Sequence, residues 1–100
     1  MPNVALFVEL KAKPGREEEV AAFLQGAQAL AAAEPRTLTW FALRFDQTTF
    51  AIFDTFPDDG ARQAHLRGRI AEALIASAPD LLDTPPEIRA ADVLAETIPG

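Results

Sequence analysis

Cysteine is absent from these 100 residues, which excludes disulfides, thiolate nucleophiles and cysteine-ligated metals. Tyrosine is missing as well, and tryptophan, methionine and histidine occur once each, as Trp40, Met1 and His65. Basic residues are scarce: nine Lys and Arg against 15 Asp and Glu leave a net charge of −6, which argues against a nucleic acid or an anionic membrane as partner. No apolar run approaches membrane-spanning length, and the opening Met1-Pro2-Asn3-Val4 lacks the basic region and apolar stretch of a signal peptide. The expectation is a soluble, cytoplasmic protein. The acidic pair Asp58-Asp59 has no third ligand within sequence reach and is explained by helix capping, so no metal site is expected.

What is present is ordinary globular material, 49% hydrophobic and 24% charged, in a length suited to a single domain over residues 1–100. Its centre is residues 37–56, TLTWFALRFDQTTFAIFDTF, where β-branched and aromatic residues form two strands around a polar break at Asp46-Gln47. A turn of two or four residues would put Thr39, Phe41, Leu43 and Phe45 on one face with Phe50, Ile52, Asp54 and Phe56. Leu38, Trp40, Ala42 and Arg44 would then share the other face with Ala51, Phe53 and Thr55. Both faces are apolar, so both need a cover.

Residues 3–12 alternate as a strand, with Val4, Leu6, Val8 and Leu10 on one side and Phe7 on the other. Lys13-Pro14-Gly15 ends it. Residues 16–34 carry a helical stripe of Val20, Phe23, Leu24, Ala27 and Leu30, with glutamates in the first turn and Pro35 as the stop. After the hairpin, Pro57-Asp58-Asp59 starts a helix expected in two pieces, 61–67 and 70–78, jointed at Gly68 and ended by Pro79. Residues 87–98 complete the pattern as a final strand.

The order β-α-β-β-α-β is the split βαβ, or ferredoxin-like, arrangement of an α+β protein, an antiparallel sheet with its helices on one face. The face without helices would expose Trp40, Phe53, Phe7 and Leu38, more apolar surface than a monomer usually leaves open. A homodimer, sheet against sheet, is the expected remedy, burying on the order of 2,000 Å².

The stretches VELKAKPGREEEVAAFL and FAIFDTFPDDGARQAHL resemble the antibiotic-biosynthesis monooxygenase family of dimeric α/β barrels. The likeness covers nearly the whole chain in order and spacing. It implies an oxidoreductase fold whose members oxygenate phenolic or quinol compounds without metal or flavin, while others degrade haem. The positions that carry asparagine, tryptophan and histidine in the haem-degrading branch hold Val8, His65 and Ile75 here, and isoleucine cannot ligate iron. Those that carry asparagine and tryptophan on the third strand of the polyketide-oxygenating branch hold Ile52 and Phe56. No cofactor is expected.

The expected site is the space between sheet and helices, with Val8, Thr39, Phe41, Ile52, Phe56 and Arg62 as ligand-binding residues. His65 would be the base, able to deprotonate a phenol, and Asp54 would orient its imidazole from the same side of the third strand. Against this stands a plainer alternative, a histidine hydrogen-bonded locally within its helix. Three functions follow: a cofactor-independent monooxygenase of a small hydroxyaromatic or quinol, a non-catalytic barrel binding a small apolar ligand, or a barrel serving protein association.

Overall fold

The computed structural model describes residues 2–99. Seven elements follow in the order β1 (Val4–Lys11), α1 (Glu17–Ala32), β2 (Thr39–Arg44), β3 (Thr49–Phe56), α2 (Asp59–Leu66), α3 (Arg69–Leu81) and β4 (Glu87–Asp92). The four strands form one antiparallel sheet in the order β2-β3-β1-β4, the ferredoxin-like topology, and the helices pack on one face.

The local chemistry explains most of these bounds. Gly15, at φ 87°, makes the turn out of β1, a conformation a side chain would strain. Glu17, Glu18 and Glu19 then occupy the first turn of α1, where the helix dipole favours negative charge. Asp58 caps α2 by accepting from the Ala61 amide. Gly68 separates α2 from α3, as the sequence suggested.

Between sheet and helices, Val8, Leu10, Phe50 and Ile52 meet Val20 and Leu24 of α1 and Leu74 of α3. Leu6 and Phe56 meet Ala61 of α2. Phe50 and Phe56 are buried to 2% and 0% exposure, each contributing about 1.5–3 kcal/mol of transfer free energy.

The hairpin parity differs from expectation. Phe45 N–H donates to the Thr49 carbonyl across a three-residue loop, Asp46-Gln47-Thr48, and the register pairs Trp40 with Asp54, Phe41 with Phe53 and Ala42 with Ile52. Asp46 imposes the odd length, since its Oδ1 accepts from the amides of both Thr48 and Thr49. One residue more than the expected even turn transposes every β2 side chain. Trp40, Ala42 and Arg44 therefore face the helices, while Thr39, Phe41 and Leu43 lie on the open face with Phe53 and Thr55. Trp40 packs against Ala27, Ala31 and Ile70, so it does not belong to the uncovered surface. Phe41 stacks on Phe53 there, with ring centroids 6.5 Å apart.

Two boundaries are also corrected. Pro79 lies inside α3 instead of ending it: it forfeits only its own amide's hydrogen bond, and the turn is held by Leu82 N–H donating to the Ala78 carbonyl and Lys13 N–H donating to the Leu81 carbonyl. β4 stops at Asp92 rather than running to Ile98, since Asp92 pairs with Val4, the first residue of β1. Beyond that point Val93 N–H donates to the Asn3 carbonyl, and Leu94 is 96% exposed.

Candidate functional site

His65 sits in the last turn of α2, where helix carbonyls favour a cation, and its ring lies 5.2 Å from that of Phe56. Only 8% of it is exposed, and both ring nitrogens meet carboxylates. Nε2 is 2.9 Å from Asp54 Oδ2, and Nδ1 donates to Glu34 Oε1 at 2.6 Å. The two contacts differ in kind. The bond to Glu34 is aligned, whereas both Asp54 oxygens are buried without an aligned hydrogen-bond partner, so His65 and Asp54 interact chiefly as charges.

These surroundings set the protonation. Burial works to lower the His65 pKa, but contact with Asp54 and the hydrogen bond to Glu34, with the charges of both, outweigh it and hold the imidazole above its ordinary value. Burial raises Asp54 above the usual carboxylate range, only partly offset by His65. With His65 protonated, two carboxylates flank one imidazolium. Facing inward across β2–β3, Trp40 is the cross-strand neighbour of Asp54, and its Nε1 is likewise buried without a partner.

Glu34 was not among the residues singled out from sequence. It follows the end of α1, in the turn to β2, where its amide donates to the Ala31 carbonyl. Its Oε1 also accepts from Thr37 Oγ1 at 2.7 Å. Thirty-one positions separate it from His65, and nothing periodic links them. The only local signal is an acidic residue placed just before a proline at a helix end.

A cavity of about 420 Å³ opens beside this group, lined by Glu34, Arg36, Thr37, His65, Gly68 and Arg69, with the small apolar side chains of the α1 end and α2 completing its wall. Asp54 stands behind His65, 1% exposed and outside the lining. Arg36 is ion-paired with Asp58.

The other expected ligand residues are dispersed. Val8, Ile52 and Phe56 are buried in the core, where side chains of α1, α2 and α3 pack against the sheet. Thr39 and Phe41 are on the opposite side of the sheet, for the parity reason given above; Thr39 Oγ1 is paired with Thr55 Oγ1 at 2.7 Å. Arg62 holds Asp59 and the carbonyls of Ala5 and Ala91, stitching α2 to β1 and β4. His65 and Asp54 are thus brought together, and of these six residues Phe56 lies against the His65 ring while the others do not gather around the pair. No cluster of three or more His, Asp or Glu side chains suited to a metal ion occurs among the described residues.

No family model matches the chain, and no curated protein matches it. Among solved structures, a Nitrosomonas europaea protein of unknown function is 51% identical, superposes with a TM-score of 0.97, and is covered over 97% of its length by 100% of this chain. The chain belongs to the family of that protein. A Mycobacterium tuberculosis protein matches at TM-score 0.84 with 18% identity over 96% of this chain and 99% of its own. A structure described as an antibiotic biosynthesis monooxygenase matches at TM-score 0.80 and 15% identity, over 92% of this chain and 99% of its own. The fold is therefore that of the antibiotic biosynthesis monooxygenases. No helix of the described residues is long and apolar enough to cross a membrane.

Proposed function

We propose that the protein is a cofactor-independent monooxygenase of a small hydroxyaromatic or quinol compound, working as a homodimeric α/β barrel. The observation that carries this reading is a buried histidine clamped between two carboxylates on the wall of a cavity of small-ligand size. In the chemistry envisaged, the phenolic proton passes to the Glu34–His65–Asp54 chain, and the electron-rich phenolate reduces oxygen. A phenol with a ring C–H para to its hydroxyl, plus O2, gives the quinone plus water. All four electrons come from the ring, so the balance needs no further reductant. The shared fold of a structure described as an antibiotic biosynthesis monooxygenase supports the reaction class.

The homodimer is supported by the open sheet face, where Phe41 is 52% exposed against Phe53 and Leu43 is 38% exposed. A second functional reading, a barrel that binds a small apolar ligand without turning it over, is favoured by one specific feature. Both imidazole nitrogens are already engaged, which leaves no ring nitrogen available to a substrate. The deciding experiment is oxygen uptake with 1-naphthol, which has a C–H para to its hydroxyl, measured against buffer alone and against His65→Gln. Uptake above buffer that vanishes in the variant is expected. Binding with no uptake would select the second reading.

A further inference from the structure

The cavity presents one carboxylate oxygen with nothing attached to it. Glu34 Oε1 carries both the His65 and the Thr37 hydrogen bonds, and Oε2 carries none among the described residues. Gly68 lies beside that oxygen: a Cβ there would come within 3.2 Å of Oε2. The missing side chain keeps Oε2 approachable from the cavity that both residues line. His65 cannot take this place, since its two nitrogens are committed, and Asp54 lies outside the lining.

The charges around the cavity differ in their freedom. Arg36 is neutralised by Asp58. Arg69, at the start of α3, lines the same cavity and has no carboxylate within ion-pair distance among the described residues. A ligand there would meet a proton acceptor on one wall and an uncompensated cation at the rim.

We propose that Glu34 Oε2 is the group that receives the ligand's proton and that Arg69 holds an anionic substituent, so that the cavity takes a hydroxyaromatic acid. This rests on the reading of the cavity as a ligand site and assigns the roles within it. The ligand O–H bond breaks, its proton bonds to Oε2, and the electron pair stays on the ligand oxygen. His65 is then a positioning residue. Its Nδ1–H fixes Oε1 and turns Oε2 to the cavity. The titratable and charged groups facing Glu34 are His65 from α2, Arg69 from α3 and Arg36 from its own turn, with Asp54 beyond His65 on β3.

The test uses two nitrophenols whose absorbance reports their ionisation: 4-hydroxy-3-nitrobenzoate, and 2-nitrophenol, the same ring without the carboxylate. Wild-type protein should bind the acid about threefold to fivefold more tightly, as an exposed ion pair allows, and Arg69→Gln should abolish the preference. The ionised carboxylate opposes a phenolate beside it, so the bound phenol should ionise at higher pH in wild type than in Glu34→Gln, by about tenfold in the equilibrium. Gly68→Ala, at a φ of −88° that alanine adopts without strain, would put a Cβ 3.2 Å from both Oε2 and the His65 carbonyl oxygen, and by crowding Oε2 should weaken binding of both probes. It also covers the case in which Glu34→Gln fails to fold. If neither probe binds wild type, the ligand-site reading falls and this assignment with it. If the probes bind but Glu34→Gln leaves their ionisation unmoved, or Gly68→Ala leaves their affinity unmoved, only the role of Glu34 is overturned. An undiminished preference in Arg69→Gln overturns the acid as ligand class.

Discussion

Replacing His65 by leucine should cost far more than replacing Asp54 by asparagine, although each removes one member of the same contact. At 2.9 Å and an effective dielectric of about 20, opposite charges attract by about 6 kcal/mol. Withdrawing the two ions from water costs several kcal/mol each, so the intact pair contributes little net stability. Breaking it from one side is different. His65→Leu leaves Asp54 at 1% exposure with no cation and no aligned hydrogen bond, and leaves Glu34 with the Thr37 hydroxyl but without the imidazole. The expected loss at pH 8 is about 3–5 kcal/mol, a large part of the ~5–15 kcal/mol available to a domain. Asp54→Asn removes the buried charge itself and leaves His65 paired with Glu34, so its cost should stay within about 1–2 kcal/mol. Adding Asp54→Asn to His65→Leu should restore about 1–3 kcal/mol. Urea unfolding at fixed protein concentration measures all four proteins, at pH 8 and again at pH 5.5. A deficit below 1 kcal/mol at both pH values would refute the coupling of the three residues. A double variant weaker than His65→Leu alone would show that Asp54 is not the stranded charge.

The wild-type protein should itself lose stability as pH rises. His65 is raised above its ordinary value of about 6.5, so its contribution is complete below that pH and is lost as pH climbs through the folded-state value. Asp54, also raised, acts with the same sign; melting temperatures from pH 5.5 to 9 should fall on the alkaline side, and less so in His65→Gln. Phe53→Glu places a charge in the centre of the open sheet face and should convert a dimer to monomer in sedimentation, with little change in the monomer's own secondary structure by circular dichroism. Trp40→Ala should instead destabilise the monomer by about 3–5 kcal/mol in denaturant titration, because Trp40 packs between α1 and α3 and not on that face.

The ferredoxin-like order was legible because each element carries its own signal: alternation in β1, an apolar stripe and acidic first turn in α1, and a capping aspartate at α2. Face assignment in the hairpin was not, since it depends on a single count. Asp46 closing on Thr48 and Thr49 makes the loop three residues long, and that count decides whether Trp40 or Phe41 meets the helices. The same distinction runs through the site. Asp54 and His65 could be placed together because each lies on an element with a definite period and a definite inward face. Glu34 has neither. It is set by where α1 stops and how the chain turns toward β2, and its meeting with His65 exists only once α2 has packed across that turn. Glu34 is nevertheless the one of the two carboxylates that lines the cavity, because β3 turns Asp54 into the core behind His65, while the turn holds Glu34 at the rim. A proton leaving a ligand would thus first meet the residue for which the sequence offers least warning, and only through it the buried pair that the strand and helix periods disclose.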